Sequence, residues 1–190
     1  MEQTAAFEDD RLKLALNQAL TGDAQAFADL VREHQGMVFS IGYHFLQDRS
    51  LAEDLAQEVF LELFQSIDRI QSPAHLTYWL RKVTSNRCID QGRKKHRRRE
   101  MALEEAPEPV TASAHADPML LERLQQSLAT LPEKQRLVVI MRFQEGLGPA
   151  EIAEVLEMPV NTVKSTLHRS LADLRKGLTR KIREVRYAFF

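Results

Sequence analysis

PAEIAEVLEMPVNTVKSTLHRSLADLRK, residues Pro149 to Lys176, holds two apolar stripes of helical period separated by a proline-bearing break. Ile152, Ala153, Val155 and Leu156 predict one inward face, and Val160, Val163, Leu167, Leu171 and Leu174 predict the next. Glu157-Met158-Pro159 interrupts them, because proline cannot continue a preceding helix and restricts the residue before it. Two helices meeting at a tight turn have helix-turn-helix form, and Ala153 is small where the second must approach closely. The outward face of the second helix opens with Asn161, Thr162, Lys164, Ser165, His168 and Arg169. Such donors and acceptors reach phosphates and base edges when a helix enters the major groove, where one good bidentate pair contributes about 1–3 kcal/mol of discrimination. The plain alternative is a solvated polar face on a helical hairpin. The spacing and the basic run from Lys164 to Arg186 favour DNA.

Upstream, helix signals recur and hairpin signals do not. Leu12, Leu16, Ala19 and Leu20 predict a first helix, which Thr21-Gly22 stops and Asp23 follows with a fresh cap. A second helix carries Phe27, Leu30, Val31, Val38, Ile41 and Phe45, weakened locally by Gly36 and Gly42. Ser50 to Glu53 has capping-box spacing, which predicts a third helix through Leu55, Val59, Leu63 and Ile67. Ser72-Pro73 starts a fourth, because proline at the first helical position gives up an amide that has no partner there. Leu76, Trp79, Leu80 and Val83 carry it into GRKKHRRRE, Gly92 to Glu100. Between residues 100 and 117 large apolar side chains nearly vanish, which predicts a flexible linker able to span about 60 Å. Beyond it, LVVIM (Leu137 to Met141) reads as buried helix, given its flanks. The expectation is an all-α chain of two small helical domains, residues 1–99 and 118–178, with a basic tail at 179–190.

Charge is partitioned along this 190-residue chain, whose formal net charge is only −1. Residues 1–62 hold twelve carboxylates against four cations, whereas residues 81–99 hold nine cations against Asp90 alone. Such asymmetry predicts a polyanion on one side and a different partner on the other. On the fourth helix Tyr78 and Trp79 stand beside Arg81, Lys82, Ser85, Asn86, Arg87 and Arg93. Cations hold phosphates and flat rings replace the stacking that a splayed base has lost, together the requirement for an opened strand. Trp79 also shares a helical face with Val83 and can be core instead, and the Arg97–Arg99 end can be a solvated terminus.

At this point the chain resembles a family. EIAEVLEMPVNTVKSTLHRSLADLRK is similar to the fourth conserved region of bacterial sigma factors, and AEDLAQEVFLELF with YWLRKVTSNRCIDQGRKKHRR is similar to the second. Their order, with a short linker and no third domain, is that of the extracytoplasmic-function branch of the sigma-seventy family. The resemblance implies that the fourth-helix set reads and melts the minus-ten promoter element, with the Ser66–Leu76 loop capturing a flipped base. It implies that the helix-turn-helix face reads the minus-thirty-five element. It also implies that a ridge of Asp54, Gln57, Glu58 and Leu61 docks the clamp helices of the RNA polymerase largest subunit. Opposite signs then serve opposite partners and are kept from cancelling each other. The flap of the second-largest subunit and an anti-sigma factor are further implied partners; no cofactor is implied. Several positions depart from the pattern: Glu157 replaces a usual turn glycine, Asn161 replaces a common glycine, and Val83-Thr84-Ser85-Asn86 stands where Ile-Ala-x-Asn is more frequent.

Catalytic chemistry is hard to find. No histidine has a glutamate three residues before it, and neither HExxH nor a Gly-x-x-x-x-Gly-Lys phosphate loop occurs. Asp54 and Glu58, four residues apart, lack further metal ligands nearby in sequence, and Cys88 is the only cysteine. The acidic opening offers neither a signal peptide nor a membrane span, so a cytoplasmic, non-enzymatic protein is expected. Two rivals remain: a free-standing regulator whose N-terminal bundle senses a ligand or dimerises, and an adaptor whose basic segments bind RNA without sequence preference.

Overall fold

A computed structural model describes the backbone of residues 2–101 and 118–188, and side chains over 10–94 and 123–177. Among these residues there are eight α-helices, one 3-10 turn and no strand. The N-terminal module comprises α1 (Glu2–Leu20), α2 (Ala24–Leu46), α3 (Arg49–Ser66), the 3-10 turn Ile67–Arg69 and α4 (Pro73–Met101). The C-terminal module comprises α5 (Pro118–Ala129), α6 (Glu133–Phe143), α7 (Pro149–Val155) and α8 (Val160–Ala188). The expected linker, apart from its first residues at the end of α4, lies outside the described residues.

Local chemistry explains the boundaries. Gly22 turns the chain at φ 92, and the Asp23 carboxylate then accepts from the Gln25 and Ala26 amides, satisfying donors that a helix start leaves bare. Ser72 Oγ accepts from the His75 amide at 3.1 Å just ahead of Pro73. The third helix departs from expectation. Its cap is Asp48, whose Oδ1 accepts from the Leu51 amide at 3.0 Å, and Glu53 pairs with Arg49 instead of closing a box with Ser50. Aspartate two residues earlier does the work expected of the serine. The expected Ser66–Leu76 loop is also shorter: the 3-10 turn covers its start, and residues from Pro73 onward are already helical.

Leu30, Ile41, Phe45, Leu55, Leu63, Leu76 and Leu80 form the fully buried heart of the N-terminal module. Burial of such side chains contributes about 1.5–3 kcal/mol each. His34 joins α2 to α4 within it, with Nδ1 3.0 Å from Leu30 O and Nε2 3.3 Å from Thr77 Oγ1. Leu137 to Met141 are all buried, as the reading of LVVIM requires. In α8 the inward stripe is rotated from the expected one. Val163, Thr166, Ser170 and Leu174 face in, whereas Val160 and Leu171 are exposed. Small hydroxyl residues at 166 and 170 let α8 lie close to its neighbours, and Ser170 Oγ donates to Gln135 Oε1 at 3.4 Å.

The two modules are not held apart. A single hydrophobic cluster runs from Phe45, Leu80 and Cys88 into Leu137, Ile140, Met141 and Ile152. Across it, Arg136 donates to Phe45 O at 2.9 Å, Gln47 donates to Gln125 O, and Gln144 Nε2 lies 2.7 Å from His44 Nε2.

Candidate nucleic-acid interface

The helix-turn-helix consists of α7, a turn through Glu157 to Pro159, and the start of α8. Gly148 precedes α7, and the Glu151 carboxylate accepts from the Gly148 amide at 2.7 Å. Glu157 adopts a left-handed conformation, φ 51, where glycine is the usual residue. Asn161, Thr162, Lys164, Ser165, His168 and Arg169 are all exposed along the outer face of α8. Ser165 Oγ donates to Thr162 O at 3.0 Å and Arg169 Nε donates to Ser165 O at 3.3 Å, so two of the six are pre-positioned on their own helix.

The α4 set divides. Asn86 and Arg93 are exposed, Tyr78, Trp79, Arg81, Lys82 and Arg87 are half-buried, and Ser85 is 1% exposed. Ser85 therefore lies on the inner side of α4, its hydroxyl donating to Arg81 O at 2.7 Å. Trp79 packs against the core, as does Tyr78, whose hydroxyl donates to Glu154 O at 3.4 Å. Lys82 Nζ donates to Glu157 Oε1 at 2.6 Å and lies 6.0 Å from the Tyr78 ring centroid. Arg81 pairs with Glu145 at 3.5 Å, and Arg93 with Glu133 at 3.7 Å.

These pairs correct the expectation that acid and base are kept from cancelling. Arg87 also reaches the acidic helix, donating to Glu62 Oε2 at 2.7 Å with Glu58 at 3.7 Å. The hydrogen bond from Arg87 to Glu62 raises the guanidinium pKa further, and the one from Lys82 to Glu157 raises the lysine pKa while lowering that of the glutamate. Burial raises the Glu145 carboxyl pKa despite Arg81 beside it.

On α3, Asp54, Gln57, Glu58 and Leu61 are all exposed on one face. Phe64 extends that face at 62% exposure, its ring set edge-on to Phe27 at 5.3 Å between centroids. Sequence reading omitted Phe64, although its distance of three residues from Leu61 marks it as a neighbour. It also omitted Glu133 and Glu145 and read Glu157 only as a turn residue, because the pairings of all three depend on long-range packing. Among the described residues no group of three or more potential ligands is placed to hold a metal ion, and no helix is long and apolar enough to cross a membrane.

Comparison with known proteins agrees with this architecture. Residues 19–98 match the family model for Sigma-70 region 2, and residues 121–174 match that for Sigma-70, region 4. The chain is 33% identical over 180 residues to the ECF RNA polymerase sigma factor SigW of Bacillus subtilis, covering 88% of this chain and 96% of that one. It is 32% identical over 160 residues to the RNA polymerase sigma-E factor of Streptomyces coelicolor, covering 83% and 88%. The fold matches CnrH, solved in complex with the cytosolic domain of CnrY, at TM-score 0.67 and 21% identity over 90% of this chain and 98% of that one. It also matches the sigma factor RpoE of Bartonella quintana, solved with the anti-sigma factor NepR, at TM-score 0.67 and 20% identity over 80% and 97%.

The two modules and these relatives define an RNA polymerase sigma factor of the sigma-70 family. Within that family, the chain belongs to the extracytoplasmic-function branch.

Proposed function

We propose a division of labour among three surfaces. The outer face of α8, Asn161 to Arg169, reads the minus-thirty-five element as duplex. Tyr78, Trp79, Arg81, Lys82, Asn86, Arg87 and Arg93 on α4 hold the opened minus-ten strand. Asp54, Gln57, Glu58 and Leu61, with Phe64, dock the clamp helices of the largest polymerase subunit; the C-terminal module meets the flap of the second-largest. Ser85 has no part in strand contact on this reading, because its hydroxyl is buried against its own helix.

The observation that carries the reading is the exposure, on separate modules, of the α3 ridge and the α8 polar face. A flat apolar anchor beside carboxylates suits a protein partner, and amides, hydroxyls and cations suit DNA. The protein directs a polymerase and performs no chemistry of its own, acts in the cytoplasm where that polymerase works, and is restrained by an anti-sigma factor. Co-purification with core polymerase in the absence of DNA tests the docking half: association is expected. Failure to associate, together with tight duplex binding as a free dimer, identifies a stand-alone regulator instead.

A further inference from the structure

Four members of the strand-holding set meet the C-terminal module. Tyr78 meets α7 at Glu154 O, Arg81 meets Glu145, Lys82 meets Glu157 and Arg93 meets Glu133. Three of these contacts pair a cation of that set with a carboxylate of the C-terminal module. Glu145 is the most enclosed, its side chain 8% exposed against 22% for Arg81. Meanwhile the six recognition-face residues of α8 remain exposed. Packing of the modules therefore covers one proposed DNA surface and leaves the other free.

Two features mark this contact as built to let go. Glu157 is left-handed, a conformation a side chain adopts at a cost and glycine does not, yet it is this side chain that reaches Lys82. Arg136 Nε, on the seam, is buried and finds no hydrogen-bond acceptor among the described residues, and buried Arg81 Nε, 3.5 Å from Glu145 Oε2, makes an ion pair without hydrogen-bond geometry. A permanent interface satisfies such groups; an unsatisfied buried donor makes the closed state easier to leave.

We propose that Glu145 and Glu157 are phosphate surrogates: in the free chain they occupy Arg81 and Lys82, so that the C-terminal module masks the strand-holding face until the modules separate. This rests on the reading of Arg81 and Lys82 as strand contacts. Masking prevents a free sigma subunit from retaining single-stranded nucleic acid unproductively, and separating the modules exposes the cations at the moment of use.

The test uses the full chain without polymerase, a labelled mixed-sequence single strand of about 20 nucleotides as probe, and small-angle scattering to report closure. Glu145→Lys and Glu157→Lys place like charges together, so both variants are expected to expand and to bind the probe about 3- to 10-fold more tightly. Asp10→Lys and Asp29→Lys make the same charge change away from the seam and are expected to leave the radius of gyration unchanged, with a smaller gain in affinity. The charge swap Lys82→Glu with Glu157→Lys should restore the compact form. Glu157→Gly keeps the left-handed turn without its carboxylate, so it separates loss of the latch from loss of folding; circular dichroism should be unchanged. Equal affinity gains in seam and control variants, or no expansion in any seam variant, would overturn the proposal. Expansion without an affinity gain would also overturn it; normal promoter opening by Arg81→Ala with Lys82→Ala would then place the error in the strand-contact reading.

Discussion

The Arg136 guanidinium carbon lies 4.9 Å from the Phe45 ring centroid while one of its nitrogens donates to the carbonyl of that same residue at 2.9 Å. One side chain of α6 thus covers the ring and caps the end of α2, and it also donates to Ala129 O at 2.5 Å and Leu131 O at 3.2 Å. Arg136→Ala leaves three carbonyls without this donor and is expected to cost about 2–4 kcal/mol in urea unfolding. Arg136→Lys should recover less than half of that, because an ammonium lacks the planar fork.

Two glycines in helices give opposite outcomes. Gly36 is exposed with nothing within 4 Å of an added Cβ, so Gly36→Ala should stabilise by about 0.5–1 kcal/mol through helix propensity. At Gly92 the same Cβ would stand 3.1 Å from both Glu133 Oε1 and Phe45 Cε1. The glutamate can swing aside, but the buried Phe45 ring cannot, so Gly92→Ala should be neutral or destabilising by up to about 1 kcal/mol. Thermal unfolding of both variants checks the contrast.

Separate surfaces predict separable defects. Asn161→Ala or Arg169→Ala should weaken promoter discrimination by about 1–3 kcal/mol with little change in polymerase affinity. Asp54→Ala with Glu58→Ala should do the reverse. Filter binding on matched and mismatched promoters, alongside polymerase pull-down, reads both; equal loss of the two properties in every variant contradicts the division.

His44 and Glu145 both lie at the module seam and respond to acid with opposite sign. Burial lowers the His44 pKa below 6.5, so the packed form resists protonation and its stability falls as pH drops from 6.5 through the lowered value. Burial raises the Glu145 pKa above 4.5, so that carboxyl contributes stability at low pH, which is lost as pH rises through its raised value. His44→Gln should therefore flatten the loss of melting temperature on acidification from neutral pH toward pH 5, and Glu145→Gln should steepen it. Identical pH profiles for wild type and both variants would contradict these signs.

The elements were legible because each carries local chemistry. Asp23 and Gly22 mark one boundary, Ser72-Pro73 another, and the apolar run from Leu137 to Met141 can only be interior. Where two nearby residues compete for one role, local reading failed: Asp48 displaced Ser50 as a cap. It failed again on α8, where Thr166 and Ser170 face in because close helix approach favours small side chains over the leucine at 171. The exposure of the polar face of α8 from Asn161 to Arg169 was readable from helical period alone. The pairing of Arg81 with Glu145 was not, since 64 residues separate them and only tertiary packing brings them together. Sorting charge by segment concealed that cancellation. The left-handed residue at 157 was foreshadowed by the glycine it replaces, yet its partner Lys82 was not.

The most direct measurement is run-off transcription with purified core polymerase on a promoter that the chain selects from genomic fragments. Wild-type protein is expected to direct initiation from a defined start site, and Arg81→Ala with Lys82→Ala to reduce open-complex formation while duplex recognition persists. Absence of initiation at every fragment, with no association with core polymerase, would contradict the account.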